Sequence, residues 1–283
     1  MASLKQIKRR IKTAKNIAQI TKAMEMVAAS KMKRAQNQAL ASKPYAAKLY
    51  SVTAGLANLP AENLHPFLFA NKEQQEKQTL FVVIASEKGL CGSLVSNLGR
   101  ELLTLTEPNN LRFITLGKKA RDLILRINGQ ILAHFELGLS QPKFEIVPSV
   151  VNIITEKFLH NEVKNVFALY TDFINTMSQK STIKQLLPVT DISPLNSGFT
   201  DYLFEPSPAA ILDTLLPHYL EMEIYQIILE AYASEQSARM VAMKNATDNA
   251  SEITQELTLI YNKLRQTAIT NEIADIVTAS LTI

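Results

Sequence analysis

His218 to Ile283 reads HYLEMEIYQIILEAYASEQSARMVAMKNATDNASEITQELTLIYNKLRQTAITNEIADIVTASLTI, with neither glycine nor proline. Glycine costs about 1 kcal/mol and proline about 3 kcal/mol in a helix interior, so their joint absence predicts unbroken helix. At about 1.5 Å per residue this arm reaches roughly 100 Å, too long for a compact globule. A second arm opens the chain, from Met1 to Asn58, with Gly55 near its end and Pro44 as its single proline. Pro44 is expected to kink or restart that helix. All 8 glycines lie between Gly55 and Gly198, so the middle of the chain must be built differently.

In the first arm, apolar or small residues recur at Leu4, Ile7, Ile11, Ala14, Ala18, Thr21, Ala28 and Ala35, the 3/4 rhythm of a coiled-coil seam. Ile17, Ile20, Met24 and Val27 form a second stripe one position away. The last arm keeps the rhythm at Leu220, Ile224, Ile227, Ala231, Ser234, Ala238 and Val241. Small residues dominate both seams and let two backbones approach closely. The rhythm fails over Lys244–Glu252 (KNATDNASE), which reads as a solvated or partner-facing patch, and resumes at Ile253, Leu257, Ile260 and Leu264.

Charge supports pairing of the arms. Residues 1–35 carry ten Lys or Arg against Glu25, while residues 218–283 carry nine acidic residues against four basic ones. One arm is a cation and the other an anion, which suits two helices lying side by side. The same basic helix also suits nucleic acid phosphates, an alternative that charge alone leaves open. Both arms join one central region, so they are expected to pair antiparallel from near residues 58 and 208. The last arm then outruns the first by roughly 20 residues, about 30 Å of helix. That overhang carries Ile269, Ile273, Ile276, Val277, Leu281 and Ile283, an apolar surface that predicts an enclosing partner.

Between the arms the period changes. Leu80–Ala85 (LFVVIA), Leu111–Leu116 (LRFITL) and Asn165–Tyr170 (NVFALY) are short runs typical of buried strands. Helical stretches near Ser93–Leu105, Lys118–Ile127 and Val150–His160 alternate with them, which predicts a mostly parallel sheet. Lys184–Ile192 is expected to add an edge strand, with Pro188 tolerated there. The division is therefore 1–58 and 208–283 as helices and 59–207 as an α/β domain.

The chemistry-bearing inventory is sparse. Gly89-Leu90-Cys91-Gly92 follows the first strand but matches no phosphate-binding motif, so a structural turn is expected. A nucleotide-binding enzyme with a dimerising coiled coil would need a ligand at that turn. His65, His134, His160 and His218 show no metal spacing, and Cys91 has no His/Asp arrangement beside it. The single cysteine excludes an internal disulfide and fits a reducing compartment. No apolar run reaches the length of a membrane span. The basic stretch Lys5–Lys15 has the character of a transit peptide, but its helical spacing continues far beyond a cleavage point.

Specific sequences then add a resemblance. Ile20–Ala35 (ITKAMEMVAASKMKRA), Ser234–Ala250 (SEQSARMVAMKNATDNA) and Leu257–Val277 (LTLIYNKLRQTAITNEIADIV) resemble the gamma subunits of F-type ATP synthases. EKGLCGSL at Glu87–Leu94 and YLFEPSPAAILDTLLPHYLE at Tyr202–Glu221 extend the likeness over the whole chain. The family start aligns with Met1, which points to a bacterial-type member without a transit peptide. Ser93 and Ala279 stand where the family usually has glycine, and the cysteine pair of chloroplast members is absent.

The resemblance implies a long antiparallel coiled coil of N- and C-terminal helices with a central Rossmann-like α/β domain. It implies a central rotor shaft that couples ion flow through a membrane c-ring to conformational cycling of catalytic beta subunits. The chain itself would be no enzyme and would need no cofactor. Its partners would be an alpha3beta3 ring, an epsilon subunit and the c-ring, with no nucleic acid. Membrane association would come only through the complex, on the cytoplasmic face of a bacterial inner membrane. Arg239 resembles an arginine facing an acidic beta-subunit loop, with Met24 across the coiled coil. Arg265, Gln266, Thr270 and Glu272 resemble a polar set that engages a beta-subunit catch loop. Tyr202, Phe204 and Glu205 would belong to the c-ring-facing foot.

Overall fold

The computed structural model describes residues 4–57, 65–68, 78–104, 111–138, 140–189 and 205–281. Helix α1 spans Leu4–Ala57 and helix α5 spans Pro208–Leu281. Between them lie β1 (Gln78–Ile84), α2 (Leu94–Leu103), β2 (Leu111–Leu116), α3 (Lys118–Arg126), β3 (Gln130–Phe135), α4 (Val147–Leu159), β4 (Val163–Phe173) and β5 (Gln179–Leu187). The chain divides into two compact units, Met1–Ala28 with Arg239–Ile283, and Ala29–Ala238. Each is taken by itself.

In the sheet-bearing unit the strands run in the order β3-β2-β1-β4-β5. The first four are parallel and β5 is antiparallel to β4. β1 at the centre is buried on both faces, which explains its continuous apolar sequence. Leu80, Val82 and Ile84 face a core completed by α4 (Val150, Val151, Ile154) and by Leu216, Leu220, Ile224 and Ile227 of α5. Phe81, Val83 and Ala85 face the opposite layer, with Leu98 and Leu102 of α2 and Ile124 of α3. The architecture is a Rossmann-like α/β sheet, with the C-terminal helix serving as one of its covering helices.

Three expectations are corrected here. Pro44 does not restart α1, which continues through it, and α5 likewise continues through Pro217. Packing of each helix on the other outweighs the proline penalty of about 3 kcal/mol. The edge strand is β5, earlier than Lys184–Ile192, and it stops before Pro188, whose missing N–H cannot extend a ladder. Residues 190–192 lie outside the described residues. β3 was not anticipated, because its run QILAHF is interrupted by polar residues and its burial is partial.

Side chains lock the strand ends. The carboxylate of Glu87, just after β1, accepts the Leu137 N–H at 2.6 Å and the Lys118 N–H at 3.2 Å. It therefore ties β1 to the start of α3 and the end of β3. Glu87→Ala leaves both donors without this partner and is expected to lower stability by about 1–3 kcal/mol in urea unfolding. A change below a few tenths would contradict that role.

The sheet, α1 and α5 also share a polar junction. Ser42 of α1 donates to Gln226 Oε1 at 2.9 Å, and Gln226 Nε2 donates to Glu230 at 3.2 Å. Lys184 of β5 pairs with Glu223. Burial, reinforced by Asp172 and Glu223, pushes the Glu230 carboxyl above its usual range despite the Gln226 hydrogen bond and Lys184. Folding thus disfavours the charged form of Glu230, and its contribution to stability declines as pH rises from about 4.3 through the raised value. Glu230→Gln is accordingly expected to gain stability on the native chain at neutral pH, with the gap closing as pH falls below about 4.3. A gap independent of pH in urea unfolding would contradict this.

In the two-helix unit, α1 and α5 run antiparallel along the anticipated seam. Ile7, Ala14, Thr21 and Ala28 are buried, as are Met243 and Ala250. The seam does not fail over Lys244–Glu252: Thr247 and Ala250 face α1. The hydroxyls of Thr21 and Thr247 stand 2.7 Å apart. Each also lies within reach of its own helix, on the carbonyls of Ile17 (3.0 Å) and Met243 (2.9 Å). One hydroxyl donates across while the other donates to its carbonyl, so a polar pair closes the seam without an orphaned group.

Candidate functional site

The surface most suited to a partner lies on the two-helix unit. Only the seam of α1 is used for pairing. The second stripe stays outside: Ile17, Ile20 and Val27 are exposed, Ile20 by 60%, and Met24 is half-buried. One helix covers only about one seam, which leaves this second stripe outside the pair. Between the helices runs a groove of about 670 Å³, lined by Arg9, Arg10 and Ile17 of α1 and by Asn249, Ile253 and Leu257 of α5. Glu25, the one acid of residues 1–35, is paired to Lys22 at 3.0 Å. The basic flank of α1 favours acidic partners.

Beyond Leu264 the helix α5 stands exposed through Thr278. At 3.6 residues per turn, Arg265, Gln266, Ile269, Thr270, Glu272, Ile273, Ile276 and Val277 fall within about 160° of one another. Thr267, Ala268, Asn271, Ala274, Asp275 and Thr278 take the other side. The four sequence-selected polar residues thus share one face with four large β-branched apolar side chains. Ile269, Ile273, Ile276 and Val277 are each 43–68% exposed. The Thr270 hydroxyl donates to the Gln266 carbonyl at 2.9 Å, which fixes its rotamer and leaves the lone pairs outward.

Arg239 is half-buried and lies in the same helical pair as Met24. Glu205 is exposed, three residues before α5 begins. Tyr202 and Phe204 lie outside the described residues. The structure thus gathers Arg265, Gln266, Thr270 and Glu272 on one helix face, but it places Met24 and Arg239 elsewhere on the helices and Glu205 in the other unit. Site residues that the sequence reading did not select are Arg9, Arg10, Ile17 and Ile20. Their signals were the apolar stripe one position off the seam, for Ile17 and Ile20, and the dense positive charge of residues 1–35, for Arg9 and Arg10.

At the Gly89–Gly92 turn, Leu90 and Gly92 take positive φ (64° and 60°), and the turn simply reverses the chain from β1 into α2. The start of α3, a natural anion site, is already occupied by the Glu87 carboxylate. No helix among the described residues is long and apolar enough to cross a membrane. No metal-binding cluster occurs among the described residues.

A family model described as ATP synthase matches residues 3–281. The chain is 45% identical over 282 residues to the ATP synthase gamma chain of Dehalococcoides mccartyi, covering 98% of both. It is 40% identical over 285 residues to the ATP synthase gamma chain of Polaromonas naphthalenivorans, again covering 98% of both. Among solved structures, it resembles a chain of the Euglena gracilis mitochondrial ATP synthase rotor, with TM-score 0.68 and 21% identity over 94% of this chain and 98% of that one. A chain of the OSCP/F1/c-ring structure from the same organism gives TM-score 0.72 at 20% identity, over 99% of this chain and 94% of that one. At that identity the structural likeness concerns the fold. None of these likenesses supports the nucleic-acid reading.

Proposed function

This chain belongs to the ATP synthase gamma-chain family, and we infer that it is the central rotor shaft of such a complex. Residues 1–58 and 208–283 form the shaft, and residues 59–207 the foot. The shaft meets an alpha3beta3 ring, and the foot meets a c-ring with an epsilon subunit alongside. The chain is a peripheral subunit without chemistry of its own. Nucleotide chemistry takes place on the beta subunits, and the complex sits on the cytoplasmic face of a bacterial inner membrane.

The observation that carries this reading is the exposed face of α5 beyond Leu264, where isoleucines and hydrogen-bonding side chains alternate on a helix with no covering layer. An asymmetric helix inside a threefold ring meets three equivalent subunits differently. Differential contact is what biases each site to a distinct conformation. Rotation of the shaft then passes each site through the states in turn. In this role Arg265, Gln266, Thr270 and Glu272 engage a beta-subunit loop, Arg239 faces an acidic one with Met24 opposite, and Tyr202, Phe204 and Glu205 face the c-ring.

Co-expression with the alpha and beta subunits tests the reading. The expected result is a complex that co-purifies and hydrolyses ATP faster than alpha and beta without this chain. Failure to co-purify would contradict it.

A further inference from the structure

Each long helix holds a proline deep in its interior, and the two stand at one level. Pro44 lies in α1 and Pro217 in α5. The residues that follow them meet: Tyr45 Oη and His218 Nε2 are 2.8 Å apart, and the rings stand edge to face at 6.1 Å. Proline has no N–H, so the carbonyls of Leu40 and Asp213, one turn earlier, lose their helical donors. Both residues are exposed.

The packing is also open at this level. Nearby, a cleft of about 420 Å³ lies between α1, α5 and β5, lined by Ala46, Ala47 and Tyr50, by Tyr219 and Met222, and by the Lys184–Glu223 pair with Gln226 and Glu230. On either side the pair closes again, with Gln38 bonded to Tyr225 in one direction and Leu49, Thr53 and Leu216 buried in the other. Kinks in helices occur at missing backbone hydrogen bonds, and here two such points stand at one level, joined by the Tyr45–His218 contact.

We propose that the Pro44/Pro217 level is a built-in joint at which α1 and α5 bend together, latched by the contact of Tyr45 with His218. His218 Nδ1 lies 3.1 Å from the Glu221 carboxylate. An Nδ1–H donated to Glu221 leaves Nε2 to accept the Tyr45 O–H, so the ring is held on both sides. The joint concerns α1 and α5 alone and stands apart from the rotor reading.

Hydrogen exchange of the full chain, followed by mass spectrometry, tests it. In the native sequence, amides in 40–48 and 213–221 are expected to exchange about tenfold faster than those in 29–38 and 224–234 of the same helices. Pro217→Ala restores a donor and is expected to slow exchange about tenfold in 213–221 and several-fold in the facing segment 40–48. Tyr45→Phe removes the latch and is expected to quicken both segments about threefold. Equal exchange of joint and flanks in the native chain would overturn the proposal. So would a Pro217→Ala effect confined to α5, which would mean two separate helix irregularities.

Discussion

Deleting residues 264–283 is expected to cut ion-driven ATP synthesis by the assembled complex at least tenfold while leaving the sheet-bearing unit folded. Ile269, Ile273, Ile276 and Val277 are all exposed in the isolated chain, and enclosing each is worth about 1.5–3 kcal/mol. Together that is on the order of 10 kcal/mol of attachment concentrated on one helix face. The deletion also removes Arg265, Gln266, Thr270 and Glu272, the polar groups on that face. None of the deleted residues belongs to the two main cores, which draw on α5 no further than Ala231. Urea unfolding of the sheet-bearing unit should therefore match the native chain. Synthesis at the native rate would refute the role given to this face.

The largest expected loss of stability is at Gly117, between β2 and α3. Its φ is +91°, and an added Cβ would stand 2.1 Å from the Ala85 carbonyl oxygen. That oxygen belongs to the backbone at the end of the central strand and has nowhere to move. The Gly117 N–H meanwhile donates to the Phe135 carbonyl at 2.8 Å, which holds the backbone in place. Gly117→Val is expected to cost more than about 4 kcal/mol, through clash and positive-φ strain together. Gly138 separates the two causes. It also has positive φ (+74°), but an added Cβ there meets nothing within 4 Å. Gly138→Ala should cost only about 1–2 kcal/mol, the strain alone. Equal costs at the two positions in urea unfolding would contradict the clash at Ala85.

The long helices and the central strands were legible because their signals are local. Absence of glycine and proline marks a helix, and an unbroken apolar run such as LFVVIA marks a strand buried on both faces. β3 was not legible, since an edge strand needs apolar residues on only part of its length. Pro44 does not restart its helix. Local chemistry argues for a break, while packing along tens of residues keeps the helix continuous. The KNATDNASE patch was misread because Thr21 and Thr247 satisfy each other, and a pair separated so far in sequence leaves no local trace. The face beyond Leu264 was found for a general reason: exposed isoleucines on an unpaired helix require a partner, whatever its identity. The stripe at Ile17 and Ile20 was legible as a second apolar face, but periodicity locates such a face without saying which chain covers it.

The central claim is that this chain turns inside its partners. Lys88 lies in the exposed turn after β1, and a probe attached at Lys88→Cys in the complex with alpha and beta subunits reports that motion directly. On addition of ATP, the account predicts rotation in one direction in steps of about 120°, one for each of three equivalent sites. ATP hydrolysis by the same complex with the probe stationary would contradict it.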